Sequence, residues 1–419
     1  MTTSTDIKHN HLIRQLNHWL QAAKRLSQLD NLASSFAWHG IDQELGTILK
    51  NSLKKSVDDV LAKGPSLNYS IINNYSESKA EYFNNEVQKL REQYLKAETT
   101  IYFYADALNT RTSPGVSALL RACDILCVKS MSALLNPLGK KSPPVMTYID
   151  KGLGASILKA GLRLWDGSES PVAAIKVTHH NLFRPTAIIH ETGHQVAHIQ
   201  NWNDELAISF RKNLNKFPVV VSEAFASWAS EIAADAFAFV HTGYAAVAAL
   251  NDVVSGSPNI VYGFLPGDPH PISYIRVLMG IEMCRLFYGD GPWDDLEKVF
   301  KSIYNIDSIK YPSIELIRKC LQAIPLVVSL TLKTKYRAFL GRSISDLINP
   351  EEVSPKSLLK LEHIAGPALY TSHGWIWKEC LKLLALNGYK IAVITENIDD
   401  EYSRQEAWMT KLGYSVNLN

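Results

Sequence analysis

The chain is short of several features that would assign it at once. Its 419 residues include 5 cysteines, and no two of them form a CxxC pair. Cys123 and Cys127 stand four apart in a helical pattern and the others are isolated. That excludes a disulfide framework and leaves buried free thiols as the expectation. The longest apolar runs, such as "AIPLVVSLTL" at 323 to 332, fall well short of the roughly 20 residues needed to span a bilayer. The formal net charge is only +2, which gives no electrostatic footprint for nucleic acid. The most basic run, "KNSLKK" at 50 to 55, lies in an amphipathic pattern and reads as a solvated face. There is no GxxxxGK[ST] loop, and "GLGASILKAG" at 152 to 161 has Ile157 where a dinucleotide fingerprint needs its third glycine. The opening "MTTSTDIKHNHLIRQL" contains no apolar core of signal-peptide length. These absences lead to the expectation of a soluble, cytoplasmic protein with no nucleic-acid partner, no bound nucleotide and no membrane span.

What is present begins with helix. "HLIRQLNHWLQAAKRLSQL", "IDQELGTILKNSLKKSVDDVLAK" and "SKAEYFNNEVQKLREQYLKAE" repeat apolar residues at three- and four-residue spacing. Another helix, "GVSALLRACDILCVKSMSALL", leads into "NPLGKKSPP", the clearest linker. Beyond it "VMTYI" and "AAIKVT" read as short strands, and further helices and a Gly/Pro/Asp-rich loop follow. Near the end "YKIAVIT" reads as a strand and "EYSRQEAWMTKLG" as a helix. The expected organisation is a helical region over 1–140, a central domain over 141–345 and a C-terminal α/β extension over 346–419.

The chemistry is concentrated in "TAIIHETGHQVAHIQ", residues 186 to 200. On a helix, residues i and i+4 share a face, so His190 and His194 can converge on one metal ion, and imidazole suits Zn²⁺. Glu191 is rotated about 100° from His190, which sets its carboxylate beside the metal as a general base for a zinc-bound water. Gly193, a residue that costs about 1 kcal/mol in a helix interior, suggests that something approaches closely there. His198 is eight residues beyond His190, about 12 Å along the axis, and is read as a bystander. The third ligand must come from elsewhere. "SEAFASWASEIAADAFAFV", residues 222 to 240, carries Glu231 and Asp235 one turn apart among small and apolar neighbours. Glu231 is assigned as the ligand, with Glu223 as the fallback. Asp235 is assigned as acceptor for the N–H of a ligand histidine.

These motifs resemble those of the gluzincin metallopeptidases, most closely the CAAX prenyl endopeptidases and the HtpX-type proteases. "HETGH" and "EIAAD" match that group's H-E-x-G-H and E-x-x-A-D, and "HPISYIR" at 270 to 276 resembles its His-Pro followed by an arginine. The resemblance covers residues 175 to 290. It implies a zincin-like core with a small sheet, and together with the N-terminal helical region read from periodicity the expected fold class is α+β, predominantly helical. It further implies one zinc ion, a protein or peptide substrate, and roles for His270 and Arg276 in binding the substrate backbone and stabilising the oxyanion. Similar enzymes also use an edge strand ahead of the active helix to pair with an extended peptide, here "AAIKVTHHNLF". Adjacent His179 and His180 would then point to opposite faces of that strand. Two other readings stay open at this level: a metal-dependent hydrolase of a non-peptide amide, and a binding protein that keeps zinc as a structural element. Amphipathic helices before residue 140 fit a cover over the cleft, a recruiting module or a dimerisation surface equally well.

Overall fold

A computed structural model describes residues 4–152, 154–394 and 396–415. The chain forms two compact units, Met1–Ser117 with Leu158–Ala173, and Ala118–Ile157 with Ala174–Asn419. No helix among the described residues is long and apolar enough to cross a membrane.

The first unit is built on three long helices, Ser4–Leu26, Gln43–Asn74 and Ala80–Asn109. Their apolar positions recur as the periodicity requires: Leu45, Leu49, Leu53, Val57 and Val60 are buried on one helix, and Phe83, Val87, Leu90 and Tyr94 on the next. The second helix continues beyond Lys63, through Gly64 and Pro65. Gly64 explains part of this, because a Cβ there would come within 2.2 Å of Leu20 on the first helix. That close packing, together with buried Ile71 further on, outweighs the hydrogen bond lost at proline. The returning segment is tied down by Tyr104, whose hydroxyl meets Ser170 Oγ at 2.7 Å, and by Ser56, which donates to Asp166 at 2.5 Å.

The second unit has a three-stranded sheet of β1 (Val145–Ile149), β2 (Ser156–Leu158) and β3 (Ala173–Val177), in the order β1-β3-β2. β1 and β3 coincide with the strands expected from "VMTYI" and "AAIKVT"; β2 was hidden in an irregular glycine-containing stretch. Helix Pro114–Leu135 is locked to β1 where Asp124 accepts the Thr147 amide at 2.7 Å. β3 is central and buried at Ala174, Ile175 and Val177, as a strand covered on both faces should be. It therefore has no free edge. The expectation that this strand pairs with an extended peptide is overturned: β1 and β2 occupy its two sides. His179 and His180 are corrected with it, because the strand stops at Val177 and both lie in an exposed 3₁₀ turn, His179–Asn181.

The remainder is helical. Tyr389 to Val393, expected as strand, instead ends helix His373–Val393, and Thr395 lies outside the described residues. A short apolar run carries little periodicity of its own. Here it continues the buried stripe of Leu383, Leu384 and Leu386, and Gly388 allows the helix to approach Ala245, where a Cβ would come within 2.5 Å. The last helix, Ile398–Tyr414, falls where expected. It is joined to its neighbour through buried Asn387, which donates to Glu401 and accepts from Trp408 Nε1, both at 2.9 Å. All five cysteines are buried, and none forms a disulfide with another.

Candidate metal centre

β3, the 3₁₀ turn and Pro185 lead into helix Ala187–Gln200, which carries the HETGH motif. Ile188, Ile189, Val196 and Ala197 are buried and anchor it in the core. Asn201, in the left-handed region at φ 54°, ends the helix, a conformation asparagine tolerates better than most residues. The motif helix lies against helix Ala229–Thr242, which carries Glu231 in its first turn and Asp235 in its second. Gly193 is the contact point: a Cβ there would stand 2.8 Å from Ala234 Cα and 3.0 Å from Phe237 Cβ. The close approach expected from this glycine is present, and it lets side chains of the two helices meet.

His190, His194 and Glu231 each offer a ligand atom, and these atoms lie within 4.8 Å of one another. His194 Nε2 is 3.1 Å from Glu231 Oε1 and His190 Nε2 is 3.4 Å from Oε2. The other nitrogen of each ring faces an orienting group. His190 Nδ1 is 2.8 Å from Asp235 Oδ1, and His194 Nδ1 is 3.2 Å from Ser230 Oγ, which also accepts from Asn203 at 3.3 Å. With each Nδ1 facing an acceptor, loss of the Nε2 proton on metal binding would turn both Nε2 lone pairs toward the glutamate, the tautomer a metal ligand requires. Two imidazoles and one carboxylate form a donor set that could hold a metal ion such as zinc. Glu191 follows His190 on the same helix and is buried.

Helix Ser273–Tyr288 brings in Arg276. Its Nε and Nη2 donate to the two oxygens of Asp235 at 2.6 and 2.7 Å, and Nη2 lies 3.2 Å from Glu231 Oε2. His270 sits in the preceding loop, its side chain 59% exposed, with Nε2 3.6 Å from Glu231 Oε1. Asp268 holds it from behind, accepting from the His270 amide at 2.9 Å and facing Nδ1 at 2.6 Å.

The charges are mutually dependent. Burial disfavours a protonated His190, but the Asp235 carboxylate and its hydrogen bond prevail and raise the imidazole to about 10. Burial likewise opposes ionisation of Glu231, yet hydrogen bonds from His190 and His194 hold its carboxyl well below the usual range. Asp235 is lowered too, with Arg276 and His190 overcoming its burial. Arg276 is held more firmly protonated than usual, as Asp235 and Glu231 outweigh its own desolvation.

Of the residues singled out in sequence, His190, His194, Glu231, Asp235, His270 and Arg276 meet in one place; besides His179 and His180 in their exposed turn, two others lie apart. His198 is exposed in the last turn of the motif helix, apart from the donor group. Glu223, on helix Val219–Ser227, is exposed and paired with Arg211 at 3.0 Å. Ser230, Asn203 and Asp268 were not anticipated. A signal existed for Asp268, since an aspartate two residues before a histidine can form an Asx turn; Ser230 and Asn203 give none. No protein-family model, curated protein or solved structure matches the chain.

Proposed function

We propose that this chain is a zinc-dependent metallopeptidase of the gluzincin kind, hydrolysing peptide bonds with Glu191 as general base. The observation that carries the reading is the convergence of His190, His194 and Glu231 within 4.8 Å, with a buried carboxylate next in sequence to the first of them. A zinc ion bound there supplies Lewis acidity, polarising a scissile carbonyl and making a water nucleophilic near neutral pH.

The chain's own groups do the rest. Asp235 and Ser230 fix the two imidazole tautomers through Nδ1. Glu191 takes the proton of the attacking water and delivers it to the leaving amine, the task of a single carboxylate acting first as base and then as acid. A purely structural zinc site would need no such residue. His270 projects from its loop beside Glu231 and is held through Nδ1 by Asp268, so its Nε2–H can donate to a developing oxyanion. The substrate is a protein or peptide. The resemblance of "HETGH", "EIAAD" and "HPISYIR" to the gluzincin motifs points the same way.

The test is a comparison of new N-termini in a cell lysate treated with the purified protein or with its Glu191→Gln form. Glutamine removes the base and leaves the ligands in place. Cleavages made only by the unmutated protein are the expected result, and their flanking residues define its specificity. Identical N-termini from both forms, with zinc bound in each, refute the assignment as a peptidase.

A further inference from the structure

We propose that Arg276 is a positioning residue of the metal centre, its guanidinium bridging Asp235 and Glu231 so that one oxygen of Glu231 stays turned toward His194. The inference rests on the reading above in taking His190, His194 and Glu231 as the ligands.

Its basis is how the guanidinium is committed. Nε and Nη2 grip both oxygens of Asp235, and Nη2 also lies 3.2 Å from Glu231 Oε2 and 3.4 Å from each ring nitrogen of His190. The second oxygen of Glu231, Oε1, is on the His194 side at 3.1 Å. The two oxygens of the ligand carboxylate therefore have different surroundings, and Arg276 contributes to the difference. Asp235 Oδ1 serves Arg276 Nη2 and His190 Nδ1 together, so the arginine also sets where the acceptor for His190 stands. A planar fork with several fixed N–H directions can span two acids in this way; a lysine ammonium, a point charge on a flexible stem, cannot. Two of the three guanidinium nitrogens are occupied by carboxylates, which favours positioning over direct contact with substrate.

Charge alone and positioning predict opposite outcomes. A positive charge beside a cation site opposes metal binding, so if Arg276 acted only through its charge, removing it would tighten binding. If it orients the ligands, removing it weakens binding by about 10–100-fold, the usual loss when a group supporting a ligand is removed.

The experiment is titration of the full chain with Co²⁺, the affinity read by competition with a chelator and the ligand arrangement by the visible absorption of the bound ion. Unmutated protein is compared with Arg276→Lys and Arg276→Gln. Weaker binding by about 10–100-fold and an altered cobalt spectrum are expected in both. Arg276→Lys decides the matter if Arg276→Gln does not fold, because it keeps a cation among the buried acids. Unmutated affinity and spectrum in Arg276→Lys, or tighter binding in Arg276→Gln, overturn the positioning role. Cobalt binding by the unmutated protein that is absent, or insensitive to His194→Ala, instead sinks the metal reading and this proposal with it.

Discussion

Replacing Gly193 by alanine separates the stability of the helix pair from the geometry of the metal centre. The added Cβ would lie 2.8 Å from Ala234 Cα, 3.1 Å from the Ala234 carbonyl oxygen and 3.0 Å from Phe237 Cβ. Carbon atoms in van der Waals contact stand about 3.5–4.0 Å apart, so the methyl overlaps the facing backbone by about 0.7 Å. Backbone cannot turn aside as a side chain can, so the two helices must move apart. Overpacking of this kind costs about 1–3 kcal/mol, while replacing a mid-helix glycine by alanine returns about 1 kcal/mol. The net destabilisation is about 0–2 kcal/mol, which leaves a folded protein. The metal centre has less tolerance. His194 is the next residue, Glu231 is one turn from Ala234, and a site of this kind must hold its geometry within about 0.5 Å. Gly193→Ala should therefore fold, with a modest change in thermal midpoint by circular dichroism. It should lose about tenfold or more in zinc affinity by chelator competition, as when ligand support is disturbed. Folded Gly193→Ala with unmutated zinc affinity would refute the argument that this close approach sets the donors.

Other consequences are equally direct. Glu231→Ala should abolish stoichiometric zinc by metal analysis, whereas Glu223→Ala and His198→Ala should retain it; the reverse pattern would move the third ligand. His241 is buried, and that burial lowers its imidazole to about 3 from about 6.5 in an unfolded chain. Above pH 6.5 it is neutral in both states. Between pH 6.5 and 3 the unfolded chain takes up a proton that the folded chain refuses, so stability falls with pH by up to about 1.4 kcal/mol per unit, and below 3 the effect levels off. Denaturant midpoints over that window should slope less steeply in His241→Leu than in the unmutated protein; equal slopes would exclude this histidine as the source.

How much of this could be read from the sequence follows from the range of each interaction. His190 with His194, and Glu231 with Asp235, are pairs within one helix, and helical geometry places each pair on a common face before any tertiary contact is known. Gly193 announced its neighbour because a glycine there is costly unless something needs the space. The commitment of Arg276 to Asp235 and the support of His194 by Ser230 and Asn203 depend on which helices meet, and no local pattern encodes that. The same limit explains the strand misreading. Tyr389 to Val393 is rich in residues that suit either element, and it continues as helix from Gly388, whose close approach to Ala245 no local pattern encodes. β3 has the composition of a strand, but its central place depends on β2, which is only three residues long.

The most direct measurement is diffraction from zinc-loaded crystals at wavelengths on either side of the zinc absorption edge. The account predicts a single anomalous peak bounded by His190 Nε2, His194 Nε2 and the Glu231 carboxylate. A peak centred on His198 or on the His179–His180 turn, or none at the three ligands, would contradict it.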